Sequence, residues 1–402
     1  MKLIKKIRAK WHNDIVEKQN DISAGISCLY VKANDTHTKL DNANAGIGSL
    51  NAKVDEVSAG IGGLYLKMDE CIKLNLKLVS PPPPPDDFVF VSWGVICWND
   101  DFKKYFLQNN MPEKIAKLKS NLDETSKKNI DIYLHRMLYL PDYGLKNAYK
   151  LSKAYLDSLQ TEEEKVLQKE FDGKKTKYRS GFSSLSDNEI NSDTFFFHHG
   201  LRFAANKVKE YIKNKDFIDG GAWIGDGVFI LDKYYNPQKI YAFEVSPKNC
   251  ELFHSTMKNN GITDNKYHLV PMGLSDNKEC IKINDMGGQG VSAFRKGDTE
   301  TNFTDLDSYV MDNNLNVGFI KTDLEGYGLK GLRGMTKTIK TYRPVLSLAI
   351  YHTTEEFFEM KPLLEDITKD INYKITLKKF DVLYDSTAEI ALFAYPAELD
   401  EN

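Results

Sequence analysis

The chain has 402 residues, enough for two or three domains with full cores. Its net charge of −3 and pI of 6.3 supply no global basic field, which argues against a nucleic-acid partner. No apolar run reaches the length of a membrane span, and the start Met1-Lys2-Leu3-Ile4-Lys5-Lys6 lacks the apolar core of a signal peptide.

At the N-terminus, Lys2, Lys5, Lys6, Arg8 and Lys10 surround Ile4, Ile7 and Trp11, which share a helical face. This predicts at most a weak contact with an anionic inner-membrane surface; a solvated basic start is the plainer reading. Ala24-Gly25-Ile26, Ala45-Gly46-Ile47 and Ala59-Gly60-Ile61 then recur at spacings of 21 and 14 residues, both multiples of seven. Position a reads Ile26, Ala33, Leu40, Ile47, Val54, Ile61, Met68, and position d reads Ile22, Leu29, Thr36, Ala43, Leu50, Val57, Leu64, Cys71. Such a seam predicts a coiled-coil-like stalk over residues 1–80, with homo-oligomer formation through residues 15–78. Gly25, Gly46, Gly48, Gly60, Gly62 and Gly63 oppose it, each by about 1 kcal/mol in a helix interior. The stalk therefore needs a partner strand, and a disordered tail is the alternative. Pro81–Pro85 form a stiff linker (81–86) of about 15 Å.

Residues 87–195 read as a mainly helical region, with Thr161 and Glu164 spaced as a capping box. The cysteines, Cys28, Cys71, Cys97, Cys250 and Cys280, are odd in number without a close pair, and read as reduced thiols of a cytoplasmic protein. His198 and His199 follow Phe197, with no Cys or acid at ligand spacing, so no metal site is predicted there.

From residue 196 to 402 the pattern changes to alternating strands and helices, as a doubly wound parallel sheet requires. Phe217-Ile218-Asp219 is an apolar strand ending in an acid, and Gly220-Gly221-Ala222-Trp223-Ile224-Gly225-Asp226 is a glycine turn into a helix. Glycines allow backbone to approach a ligand, and the helix start presents unpaired N–H groups. A second strand ends in Glu244, 25 residues after Asp219, near the spacing at which a carboxylate meets ribose hydroxyls. The carboxylates Asp219 and Asp226 would repel a pyrophosphate and favour the cationic S-adenosylmethionine (SAM). NAD is the alternative, because Gly220-x-Ala222-x-x-Gly225 also fits a loose dinucleotide fingerprint.

Further strands are predicted at Tyr267–Pro271, Val317–Thr322, Pro344–Ile350, Tyr373–Leu377 and Glu389–Ala394, and helices at Pro247–Asn259, Leu329–Lys340 and Thr354–Asp370. Two strand ends carry candidate chemistry. Lys321, Asp323 and Glu325 alternate along an extended chain onto one face, which suits a crevice site, although a solvated charge cluster has the same pattern. His352, after the apolar run Val345–Ile350, is a candidate for proton transfer, with a hydrogen-bonded core-edge histidine as the plain alternative.

Taken together, these residues resemble the FkbM family of SAM-dependent methyltransferases, over roughly Phe196 to Ala397. Asp219-Gly220-Gly221-Ala222-Trp223-Ile224-Gly225-Asp226 is similar to the family's Asp-x-Gly-Ala-x-x-Gly-Asp loop, and Tyr241–Pro247 to its ribose strand. Gly273-Leu274-Ser275-Asp276 resembles the turn near the adenine, Thr304–Asp307 the Thr-Leu-Asp helix start, and Lys321–Gly326 the Lys-x-Asp-x-Glu-Gly segment. Arg343-Pro344-Val345 resembles the start of strand five. The sequence departs where Tyr327-Gly328 follow Gly326, without the second acid common there, and at Trp223, where a small polar residue is commoner.

The resemblance implies a Rossmann-like, seven-stranded class I methyltransferase domain, preceded by the helical region and the coiled coil. It implies SAM held by Asp219, Gly220, Gly221, Ala222, Gly225, Asp226, Glu244 and Leu274, and O-methylation of a sugar, glycan or secondary-metabolite hydroxyl. Asp323 and His352 are the candidate bases, with Lys321 and Glu325 orienting the site. The rivals are an NAD-linked oxidoreductase, and an interaction protein in which the stalk acts and the Rossmann-like half is a silent scaffold.

Overall fold

A computed structural model describes residues 88–90, 105, 110–139, 150–152, 160–183, 190–283, 285, 297, 299–382 and 389–400. The described residues all lie in one compact unit, Pro81–Asn402. The basic start, the heptad stalk, the proline linker and Cys28, Cys71 and Cys97 lie outside the described residues.

The helical region opens with strand β1 (Phe88–Phe90), followed by α1 (Met111–Lys119) and α2 (Glu124–Tyr139), then β2 (Lys150–Ser152) and α3 (Glu162–Gly181). The short antiparallel pair β1–β2 was not foreseen; three residues per strand carry too little pattern to read. Thr161 and Glu164 do form a reciprocal cap on α3: the Glu164 N–H donates to the Thr161 hydroxyl at 3.1 Å, and the Thr161 N–H donates to the Glu164 carboxylate at 2.8 Å. Thr161→Ala should cost about 1 kcal/mol in urea denaturation; an unchanged midpoint would show that α3 contributes nothing to the cooperative unit.

After two irregular turns come α4 (Asn206–Ile212), β3 (Asp216–Gly220), α5 (Asp226–Tyr235), β4 (Ile240–Phe243), α6 (Pro247–Asn259) and β5 (Tyr267–Val270). Three strands, β6 (Gly273–Ser275), β7 (Glu279–Ile283) and β8 (Thr299–Asp305), form a small separate sheet in the order β6-β8-β7. The chain continues through α7 (Leu306–Asp312), β9 (Val317–Thr322), α8 (Gly328–Arg333), α9 (Thr336–Tyr342), β10 (Val345–Ala349), α10 (Thr354–Thr368), β11 (Tyr373–Lys379) and β12 (Ile390–Pro396).

Seven strands make the main sheet, in the order β11-β12-β10-β9-β3-β4-β5. The five strands β10, β9, β3, β4 and β5 run parallel, but β12 is antiparallel to both β10 and β11. The expected seven-stranded sheet is present, and it is mixed: the parallel arrangement read from the strand–helix alternation holds for five strands and is broken by β12. A parallel return needs a crossover of a dozen or more residues, usually helical, and the ten residues between β11 and β12 do not provide one.

Alternate residues of the central strands feed two apolar layers. Ile218, Ile320 and Leu346 face one core, while Phe217, Phe319 and Val345 face the other. Burial on both faces explains why these strands read as continuous apolar runs. The helical region shares the first core: Tyr133 stacks on Phe357 at 4.2 Å between ring centres, and the Leu377 N–H of β11 donates to the Ser126 hydroxyl at 2.9 Å.

The helix predicted at Leu329–Lys340 is two helices. Asp307 accepts from the N–H groups of Lys337 and Thr338, at 2.9 and 2.7 Å, and so caps a fresh start at α9. Among the described residues, no helix is long and apolar enough to cross a membrane.

Candidate active site

Strand order reverses between β3 and β9, and in open α/β sheets such a point opens a crevice beyond the strand ends. The parallel register places Asp219 beside Lys321 and Gly220 beside Thr322. Lys321 Nζ consequently lies 3.1 Å from the Asp219 carboxylate and donates to the Gly221 carbonyl at 2.8 Å. Burial works against this ammonium, yet Asp219 and Asp323 hold its pKa above the ordinary lysine value. Lys321 thus braces the glycine turn from beneath.

The turn itself leaves β3 at Gly220. Gly221 has φ +76°, and a Cβ there would sit 1.9 Å from the Asp323 carbonyl oxygen, so this position admits only glycine without movement. The Asp323 N–H donates to the Gly220 carbonyl at 2.8 Å, tying the end of β9 to the same turn. Gly225, at φ +84°, closes the turn as the N-cap of α5, where a Cβ would meet Met257 and Phe253. Asp226 opens α5, and burial pushes its carboxyl up to about 6, against the pull of Lys321.

Glu244 follows β4 on the other side of the crevice. It accepts from the Trp223 N–H at 2.8 Å with one oxygen, and from the Ser246 N–H at 2.8 Å and the Asn249 amide at 3.3 Å with the other. Burial raises its pKa to about 7 even so. Leu274, on β6, packs against the turn: a Cβ at Gly220 would reach its Cδ1 at 3.0 Å.

Beyond β9 and β10 lies a second group of side chains. β9 ends at Thr322, so strand alternation does not reach Glu325; that residue instead sits at φ +48° in a turn with Gly326. The turn nevertheless delivers Asp323 and Glu325 to one place. His352 Nε2 lies 2.7 Å from Asp323 Oδ1 and 3.8 Å from Glu325 Oε1. Burial opposes a charged imidazole, but Asp323 and Glu325 hold the His352 pKa well above its ordinary value. The Asp323 carboxyl, buried yet paired with His352, lies below the usual carboxylate range, while burial pushes Glu325 up to about 7.

Three participants escaped sequence reasoning. The Tyr351 hydroxyl lies 3.2 Å from Asp323 and 3.3 Å from Glu389, and so links the site to the start of β12. Glu356 faces His352 Nδ1 at 3.4 Å, four residues along, at a spacing that could have been noticed. Asp193 pairs with His199 Nδ1 at 2.7 Å. His199 and Lys321 line one small cavity with Asp193, Asp323, Tyr351 and Glu389, whereas His198 turns away to the Tyr235 hydroxyl at 2.8 Å.

The Methyltransferase FkbM domain family matches residues 219–375, which spans the glycine turn, Glu244, Lys321, Asp323, Glu325 and His352. The solved methyltransferase FkbM from Methylobacillus flagellatus KT is similar at 17% identity and a TM-score of 0.49, over 73% of this chain and 61% of that one. This chain therefore covers less than two thirds of that protein's length. Precorrin-6y C5,15-methyltransferase from Geobacter metallireducens GS-15 is similar at 12% identity and a TM-score of 0.32, over 54% and 94% of the two chains. A Streptococcus mutans protein, SMU.1697c, solved in complex with SAH, follows at 10% identity and a TM-score of 0.28, over 47% and 92%. No curated protein matches the sequence.

Proposed function

We propose, from the FkbM methyltransferase domain that residues 219–375 carry, that this protein is a SAM-dependent O-methyltransferase acting on a hydroxyl of a sugar, glycan or secondary metabolite. The observation that carries the reading is the junction of two features: a glycine turn flanked by Asp219, Asp226 and Glu244, and a His352–Asp323 pair joined to it through the Asp323 backbone.

The residues present suit this cofactor. The buried Asp226 Oδ2, beside the glycine turn, accepts no hydrogen bond among the described residues and is free to meet a ligand's positive charge. SAM, when bound, supplies a sulfonium-borne methyl group as the electrophile. Asp219, Gly220, Gly221, Ala222, Gly225, Asp226, Glu244 and Leu274 would hold it. Trp223 and Ser246 fix Glu244 through their N–H groups, so its carboxylate is oriented before a ribose arrives. Lys321 holds Asp219 and the Gly221 carbonyl in place. Asp323 is placed to take the acceptor's proton, with Tyr351 fixing it, while His352, whose charged form Asp323 and Glu325 favour, can act as the base only after losing its own proton. Most of the rate then comes from alignment of the acceptor oxygen.

Titration calorimetry tests the cofactor. SAM or S-adenosylhomocysteine should bind, and Glu244→Ala should weaken SAM by about 1.5–3 kcal/mol, the loss of a charged hydrogen-bond partner. The pH dependence has a definite sign. Burial raises the Glu244 pKa to about 7, so acidification neutralises the acceptor of the ribose hydroxyls. SAM affinity should fall below about pH 7, through Glu244 alone by roughly thirtyfold at a pH 1.5 units lower, and Glu244→Ala should remove that part of the fall and leave the part that begins near 6 with Asp226. A protein that holds NAD and not SAM, or neither, would overturn the reading.

A further inference from the structure

Asp323, Glu325 and His352 each present one ligand atom within 4.8 Å of the others, on a turn and a strand end that the main sheet holds together. A protonated His352 between two carboxylates is the simplest account of the cluster. Two further details are not needed by that account. Asp323 Oδ1 accepts no aligned hydrogen bond, although His352 Nε2 is only 2.7 Å away. Two donor atoms this close but out of line suit convergence on a third body. The second detail is behind the ring. Glu356 Oε2 lies 3.4 Å from His352 Nδ1 and has no hydrogen bond to any other donor among the described residues; its partner oxygen is pinned by the Gly328 N–H at 2.6 Å. Glu356 is fully buried. A buried carboxylate against the far nitrogen of a histidine is the usual support of a metal-bound imidazole, since it fixes the tautomer and leaves Nε2 as the ligand.

We propose that Asp323, Glu325 and His352 bind a divalent first-row cation, with Glu356 positioning the imidazole. Two carboxylate oxygens and one nitrogen leave coordination positions for water or an acceptor oxygen, and imidazole moves the preference away from calcium toward manganese or zinc. The cation site stands without the methyltransferase reading. Its role, holding the acceptor hydroxyl and lowering its pKa, rests on that reading.

The test uses the full chain, stripped with chelator and titrated with Mn²⁺ by electron paramagnetic resonance and with Zn²⁺ by calorimetry. One equivalent of at least one ion should bind. His352→Ala and Asp323→Asn should abolish binding, and Glu356→Gln should weaken it by about 10–100-fold with the three ligands intact. Glu325→Gln, on a turn outside the core, guards against variants that fail to fold, as judged by circular dichroism. Absence of binding by both ions, or equal binding in the ligand variants, overturns the site. SAM calorimetry on the same samples separates the two proposals: SAM binding without cation binding sinks only the metal site, and cation binding without SAM binding sinks only the cofactor reading.

Discussion

His352→Gln or Asp323→Asn should lower the rate of methyl transfer by about 10²–10⁴-fold while SAM affinity stays within a few-fold of the parent. The asymmetry follows from position. Both side chains lie beyond the ends of β9 and β10, and neither touches Glu244 or Asp226 among the described contacts. Whether the pair removes the proton itself or holds a cation that acidifies the hydroxyl, the interaction is made by the reacting oxygen, so kcat falls and cofactor binding does not. Chelator sensitivity distinguishes the two routes. Lys321→Met is the contrasting variant: it strands the buried Asp219 carboxylate and frees the Gly221 carbonyl, so it should damage cofactor binding and stability first. A fully active His352→Gln and a fully active Asp323→Asn would place proton removal elsewhere, with His199 the next residue to examine.

What the sequence disclosed and what it hid follow from the range of the interactions. The boundaries of β9 and α6 were readable to the residue, because a doubly buried strand and a Ser246-capped, Pro247-led helix announce themselves locally. Glu244 and the turn were readable as well, since strand, acid and glycines are contiguous. The small sheet was not. Burial alternates along Glu279–Ile283 and Thr299–Phe303, but the inward positions include Glu279, Thr299 and Thr301, so no apolar pattern in the sequence marks these strands. The pairings of Tyr351 with Glu389 and of His199 with Asp193 depend on how loops fold back over the sheet, which no local pattern encodes. Lys321, Asp323 and Glu325 were grouped by alternation, yet Glu325 reaches the cluster through a left-handed turn that the strand model does not contain.

Gly221→Ala should be the most damaging single methyl group in the domain. The added Cβ would stand 1.9 Å from the Asp323 carbonyl oxygen and 2.9 Å from its carbon, both backbone atoms that cannot rotate aside. The φ of +76° adds a left-handed penalty of about 1 kcal/mol to that overlap. Relief requires the β3 turn to part from the end of β9, which breaks the Asp323-to-Gly220 hydrogen bond and moves Asp323 relative to the cofactor loop. Stability should therefore fall by more than about 3 kcal/mol, and any folded fraction should lose SAM affinity and turnover together, unlike the His352 variant. Gly173→Ala is the internal control. It lies inside α3 with nothing within 4 Å of its added Cβ, so the same chemical change should stabilise the protein by about 0.5–1 kcal/mol through helix propensity and chain entropy. Urea denaturation of the pair reads the opposite signs directly, and a Gly221→Ala protein as stable as its parent would mean that the turn and Asp323 do not meet as described.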